Sequence, residues 1–182
     1  MKSEIISSIK NKLGFLSKNP EVIDVIIFGS AIKGKTLPSD IDIAIIIRND
    51  LPENINNKIR NLENFHVSII KCEEFFLKTP SIVSTILREG YSIKNSRYVA
   101  ENFRFSSRVL FSYSLVSLNP SRKVKVVNLL RGKGSEKGMV EKNGGEWIAN
   151  QVFISPVSAG SFFEEFFNNF KIRYRKNYIL IH

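Results

Sequence analysis

Asp40 and Asp42 stand one residue apart at the head of an apolar run, inside the stretch Ile26 to Ile47, IIFGSAIKGKTLPSDIDIAIII. Two carboxylates at the entrance of a buried strand repel each other and resist desolvation, so the pattern calls for positive charge between them. Side chains alternate along a strand, so Asp40 and Asp42 point to one face and Ile41 to the other. Carboxylate oxygens on one face are hard ligands for Mg²⁺ or Mn²⁺. Just upstream, Gly29 lets the backbone approach a phosphate with no side chain in the way. Ser30 adds a hydroxyl donor, and the start of a short helix there favours negative charge. Lys33 and Lys35 are placed to reach phosphate oxygens. Together these residues read as a site for a metal ion and a triphosphate. A single Asp after Ser39 would serve as a turn cap. A pair leading into Ile-Ala-Ile-Ile-Ile is not explained that way.

The elements that must position these residues follow from periodicity. Ser3 to Leu16 reads as an amphipathic helix, with Ile5, Ile6, Ile9 and Leu13 at helical spacing and Ser3 as its cap; Asn19-Pro20 breaks it. Val22 to Phe28 and Ile41 to Arg48 read as strands, the second apolar on both faces and therefore central. Ala31 to Lys35 is expected to start a short helix, and Thr36 to Ser39, with Pro38, to be a loop. Asn56 to Asn64 is expected as a helix and Phe65 to Lys71 as a third strand. Glu73 to Leu77 and Ser81 to Glu89 read as helices, the second stopped by Gly90. Tyr91 to Ser96 reads as a junction, giving domains 1–96 and 97–182.

Beyond it, Arg97 to Leu118 is expected to form a long helix. Asn119 caps a further helix, Ser121 to Arg131, with Pro120 at its first position. Val124, Val127 and Leu130 are its expected core face. GKGSEKG is expected as a flexible basic link or a backbone contact for nucleic acid. Val152 to Ile154 reads as a strand, Ser158 to Phe170 as a helix and Lys171 to Ile181 as closing strands. Phe162, Phe163, Phe166, Phe167 and Phe170 form a stripe that suits a core or dimer face better than base stacking. Trp147 reads as a packing anchor.

The chain has 182 residues and a formal net charge of +10. Residues 1–91 hold 12 Lys/Arg against 11 Asp/Glu, and residues 92–182 hold 15 against 6, so the excess lies in the second half. A basic half suits RNA, DNA or phosphorylated substrates, and equally an ordinary basic surface. The longest apolar runs are strand-sized and carry aspartates, so none spans a membrane. The single Cys72 admits no internal disulfide, and no apolar leader opens the chain. Both readings lead to the expectation of a cytoplasmic protein.

Gly29-Ser30, nine intervening residues, then Asp40-Ile41-Asp42, with FGS, Gly34 and SDID as worded here, resembles the DNA polymerase β-like nucleotidyltransferase superfamily, most of all its minimal nucleotidyltransferases. The resemblance runs from about Val22 to Tyr91 and includes VSIIKCEEFF and ILREGYSI. It implies an α/β (α+β) domain with a mixed sheet, followed here by a small basic α+β domain. It also implies that Asp40 and Asp42 hold two divalent ions, that Gly29, Ser30 and Lys33 meet the phosphates, and that a nucleoside monophosphate passes from an NTP to a hydroxyl with release of pyrophosphate. The family's third carboxylate falls at Ser68, which carries no charge. His66, on the same face, is the other candidate for that position, as ligand or base. The alternatives are a catalytically weak module that binds nucleotide or nucleic acid, and an antitoxin-like protein acting with a protein partner.

Overall fold

Val22-Ile-Asp-Val-Ile-Ile-Phe and Ile41-Asp-Ile-Ala-Ile-Ile-Ile are rich in β-branched residues, whose stiff side chains pack well on a pleated surface. They form β1 (Val22–Phe28) and β2 (Ile41–Ile47), an antiparallel pair at the centre of the first sheet. The computed structural model describes residues 2–33, 40–78 and 80–182, with the backbone alone for residues 2–5. The expected Ser3 cap, the side chain of Ile5, and Gly34, Lys35 and the Thr36–Ser39 loop therefore lie outside the described residues. The chain divides into two compact units, residues 1–106 with 182, and residues 107–181.

In the first unit, α1 (Lys2–Lys12) and α2 (Gly14–Ser17) precede β1, and α2 packs on it. The single helix expected to reach Leu16 is thus two, meeting at the fully buried Leu13. After β2, α3 (Glu53–Arg60) crosses over to β3 (Phe65–Lys71), which runs parallel to β2. Next come α4 (Cys72–Leu77) and α5 (Ser81–Glu89). The chain then returns through β4 (Tyr91–Ser92), antiparallel to β1, and β5 (Arg97–Tyr98). Among the described residues the sheet order is β3-β2-β1-β4-β5, a mixed sheet.

One face of this sheet presents Ile26, Phe28, Ala44, Ile46 and Ile70, packed with Phe75 of α4 and Val83 and Ile86 of α5. The other presents Val25, Ile27, Ile43 and Ile45, all buried. Each such large side chain contributes about 1.5–3 kcal/mol of burial free energy, which fixes the register and with it the position of Asp42. A bulge at Ile23, between Val22 and Asp24, sets which face each β1 residue takes. It leaves Asp24 buried. Desolvation pushes its carboxyl above the ordinary 3.8, while bonds from the Ser92 hydroxyl and the Val25 and Lys94 amides pull the other way.

The stretch that ends the first unit and opens the second differs from the sequence expectation. Arg97 to Leu118 is not a long helix: it holds β5, a 3₁₀ turn (Val99–Phe103) and β6 (Ser106–Ser114). Burial alternates along β6, with Ser107, Val109, Phe111 and Tyr113 inward, which is a period of two. After α6 (Pro120–Arg131) and α7 (Met139–Lys142) come β7 (Glu146–Ala149), β8 (Val152–Pro156), α8 (Gly160–Phe170) and β9 (Arg173–Ile181). Among the described residues the sheet order is β7-β8-β6-β9.

Asn119 caps α6 by accepting from the Arg122 amide. The core face of α6 is Val126 and Leu130, one turn apart; Val124, expected inside, is 60% exposed. Phe163 and Phe167 of α8 meet Phe111 and Phe153 in a fully buried aromatic cluster, with Phe153 and Phe163 centroids 4.8 Å apart. Trp147 anchors the edge of this cluster against Phe153, and the Arg131 guanidinium lies 3.9 Å over its ring. The segment after α6 is not a loose link. Gly132 has φ +92°, a side chain there would overlap the Glu136 carbonyl, and one at Gly138 would overlap that of Leu130.

Candidate functional site

Phe28, the last residue of β1, pairs across the sheet with Asp42, the second residue of β2. The chain then turns through a 3₁₀ segment, Gly29–Ala31, closed by Ile32 donating to the Gly29 carbonyl at 3.3 Å and Lys33 donating to that of Ser30 at 3.2 Å. Gly29 has φ +71°, a conformation that side-chain-bearing residues rarely adopt. A Cβ on Gly29 would overlap the Asp42 carboxylate. The glycine therefore does two things: it permits the turn, and it leaves the space that the carboxylate fills. Both consequences bring the turn and the second aspartate together.

Asp42 is 34% exposed at its side chain. Asp40 is exposed, in the bend that enters β2, where the Ile41 amide donates to the Asn64 carbonyl at 2.9 Å. Alternation along β2 puts Asp42 on the face that holds Ala44 and Ile46 further in. The Asp42 carboxylate thus stands at the mouth of that core, partly wet and bounded further in by apolar side chains. His66 of β3 is level with Asp42 in the parallel register, its Nδ1 3.6 Å from Asp42 Oδ1. That distance is too long for a hydrogen bond. With 71% of the His66 side chain exposed, the pairing is screened by water. Ser68 is level with Ala44, two residues further along the same face, and half-buried.

Among the described residues no three His, Cys, Asp or Glu side chains are grouped to hold a metal. Two carboxylates suit a hard divalent ion that takes its other ligands from water and phosphate, as Mg²⁺ does. Asp40 and Asp42 are carboxylates of that kind, and Asp42 lies beside a turn whose backbone carries no side chain at Gly29.

Lys33 lies at the same turn, but its ammonium sits 3.0 Å from Oε1 of Glu89, at the end of α5. Glu89, 4% exposed at its side chain, is a site neighbour that sequence reasoning missed. The signal was faint: a Glu before the helix-ending Gly90 looks like an ordinary terminal charge. Glu73 and Glu74 lie in the first turn of α4, as their sequence position suggests, and Glu74 accepts from the Lys71 amide.

Three comparisons bear on the chain. Residues 10–98 match the family described as Polymerase beta, Nucleotidyltransferase. No curated protein matches the chain. A chain from a solved complex of tri-AMPylated Shewanella oneidensis HEPN toxin with MNT antitoxin is similar at 18% identity, covering 57% of this chain and 78% of that one, with a TM-score of 0.33. Val22–Phe28, the Gly29 turn and Ile41–Ile47 fall inside the matched segment, so the residues that bring Asp42 against Gly29 lie in the stretch, residues 10–98, that matches the polymerase beta nucleotidyltransferase family.

Proposed function

We propose that the protein moves a nucleoside monophosphate from an NTP to a hydroxyl acceptor and releases pyrophosphate, using Mg²⁺ or Mn²⁺. The observation that carries this reading is the fit of the Asp42 carboxylate into the space left by Gly29, at the turn that also bears Ser30. Asp40 and Asp42 would hold the metal, which supplies charge neutralisation of the triphosphate and a lowered pKa for the attacking hydroxyl. The Gly29-Ser30 turn would take the β and γ phosphates through backbone and hydroxyl donors. The acceptor oxygen forms a bond to the α-phosphorus, the bridge to the β-phosphate breaks, and the hydroxyl proton leaves to water or to His66. The catalytic part is the nucleotidyltransferase-like domain, 1–96, and the basic domain, 97–182, would meet an RNA, DNA or other acidic acceptor. No helix among the described residues is long and apolar enough to cross a membrane; together with the lone Cys72, this favours a cytoplasmic setting.

A second reading has its own observation. Ser68 supplies no charge where a third carboxylate would stand, and the described residues offer no three-ligand cluster. A module that binds nucleotide without turning it over fits that lack. The missing group commonly costs about a hundredfold in rate.

The test titrates Mg²⁺ and Mn²⁺ with each labelled NTP against wild type and Asp40→Ala/Asp42→Ala. Bound nucleotide and released pyrophosphate are read together, with RNA, DNA and protein acceptors supplied. Binding and release that both vanish in the variant support the enzyme. Binding without release supports the module, and no binding of any NTP refutes both.

A further inference from the structure

Lys33 is bonded through its amide to the Gly-Ser turn, yet its ammonium sits on a carboxylate that is almost wholly enclosed. We propose that Lys33 and Glu89 form a positioning pair: Glu89 holds Lys33 away from the phosphates, and the pair locks the Gly29–Ala31 turn against the end of α5. The proposal rests on the triphosphate reading of that turn.

Glu89 is itself tightly placed. The Gly90 amide donates to the Ile86 carbonyl at 2.8 Å, and the Val99 amide donates to the Gly90 carbonyl at 2.9 Å. A side chain at Gly90 would run into the Ile26 methyl, so helix end and β1 are in direct contact. Two residues further on, β4 pairs with β1, Tyr91 level with Ile27. The carboxylate is thus referenced to the same strand from which the turn departs. On the other side, Lys33 donates its amide to Ser30, and the intervening Ile32 is fully buried. One buried side chain and one ion pair therefore clamp the segment leaving the turn.

Transfer of Lys33 to a phosphate would strand Glu89 without a cation in a site closed to water. An unpaired buried carboxylate is far costlier than one more lysine contact to a solvated phosphate is favourable. The exchange runs against the energy, so the lysine stays. What the nucleotide meets is a turn already fixed in shape.

The test is a double-mutant cycle with Lys33→Met, Glu89→Gln and the two together, plus Lys33→Arg, which keeps the pair. Thermal midpoints and equilibrium binding of ATP, GTP, CTP and UTP with Mg²⁺ are measured well below the lowest midpoint. Either single change is expected to weaken the best-bound NTP by roughly tenfold in folded protein, with the double no weaker than the worse single and Lys33→Arg near wild type. A lysine that binds phosphate directly gives another pattern: Glu89→Gln frees it and leaves binding unchanged or tighter, and that result overturns the proposal. Lowered midpoints with unchanged NTP affinity overturn it too, because the pair would then hold the fold but not the turn. If Lys33→Met does not fold, Glu89→Gln decides alone by the same criterion. Wild type that binds no NTP refutes the triphosphate reading by itself. The midpoint cycle still judges the pair in that case, and additive shifts overturn it.

Discussion

Gly29→Ala perturbs the site by one methyl group, and its effect can be worked out from the structure. The backbone there has φ +71°, where an alanine is disfavoured by about 1–2 kcal/mol. The new methyl would also occupy the volume of the Asp42 carboxylate, whose Cγ and Cβ lie 3.2 and 3.5 Å from it. Asp42 is partly exposed, so its side chain can swing toward water, and the fold loses little beyond the backbone term. For a unit of about 100 residues that term lowers the thermal midpoint by about 10 °C. The displaced carboxylate, by contrast, moves on the order of an ångström from where a metal and a phosphate would share it, which costs about a hundredfold in binding or turnover. The assay pairs a thermal scan with a Mn²⁺-dependent NTP titration. Gly14→Ala is the control, because a methyl at Gly14 meets nothing within 4 Å. If Gly29→Ala binds NTP as tightly as Gly14→Ala does, the packing of Gly29 on Asp42 has no part in the site and the reasoning fails.

Asp24→Asn tests the buried carboxyl in the bulge. Its folded pKa lies above the ordinary 3.8, chiefly through burial, so the stability it contributes is fully present below that value and is lost as pH rises through the folded one. The midpoint of the variant relative to wild type should therefore climb as pH is raised from about 4 toward neutrality; a flat difference contradicts this. Ser68→Asp adds a third carboxylate to the face of Asp42 and should tighten Mn²⁺ binding by roughly tenfold, read by calorimetry; weaker binding would place Ser68 away from the metal. Phe163→Ala empties the centre of the aromatic cluster, where Phe153 lies 4.8 Å away. It should destabilise the second unit by about 3–5 kcal/mol in denaturant unfolding, and a loss below about 1 kcal/mol would contradict its place in the core.

The sequence made β1, β2 and β3 legible because their residues are β-branched and apolar, and a strand buried on both faces needs that composition. Asp40 and Asp42 stood out for the converse reason, being residues a buried strand otherwise avoids, and Gly29 marked the turn before them. Periodicity failed between Arg97 and Leu118, where a polar residue, Ser107, takes an inward position and an apolar one, Leu110, an outward position, masking the two-residue alternation of Val109, Phe111 and Tyr113. In α6 the three valines fit two helical faces, and only packing chose Val126 over Val124. β7 is four residues long and too short to show a period. Glu89 was hidden because burial of a charge depends on what folds over it, which for this residue is the turn after β1, 56 positions away through Lys33.

The GKGSEKG segment separates what this protein must keep from what it is free to vary. Its two outer glycines face carbonyl oxygens at closer than side-chain distance, so their identity and the spacing between them are fixed by the backbone. Lys133, Ser135, Glu136 and Lys137 between them are all exposed. Charge at this corner can thus be added, removed or reversed from one descendant sequence to the next without disturbing the helix that precedes it. An insertion of a single residue, which most surface loops absorb, would instead be felt at once.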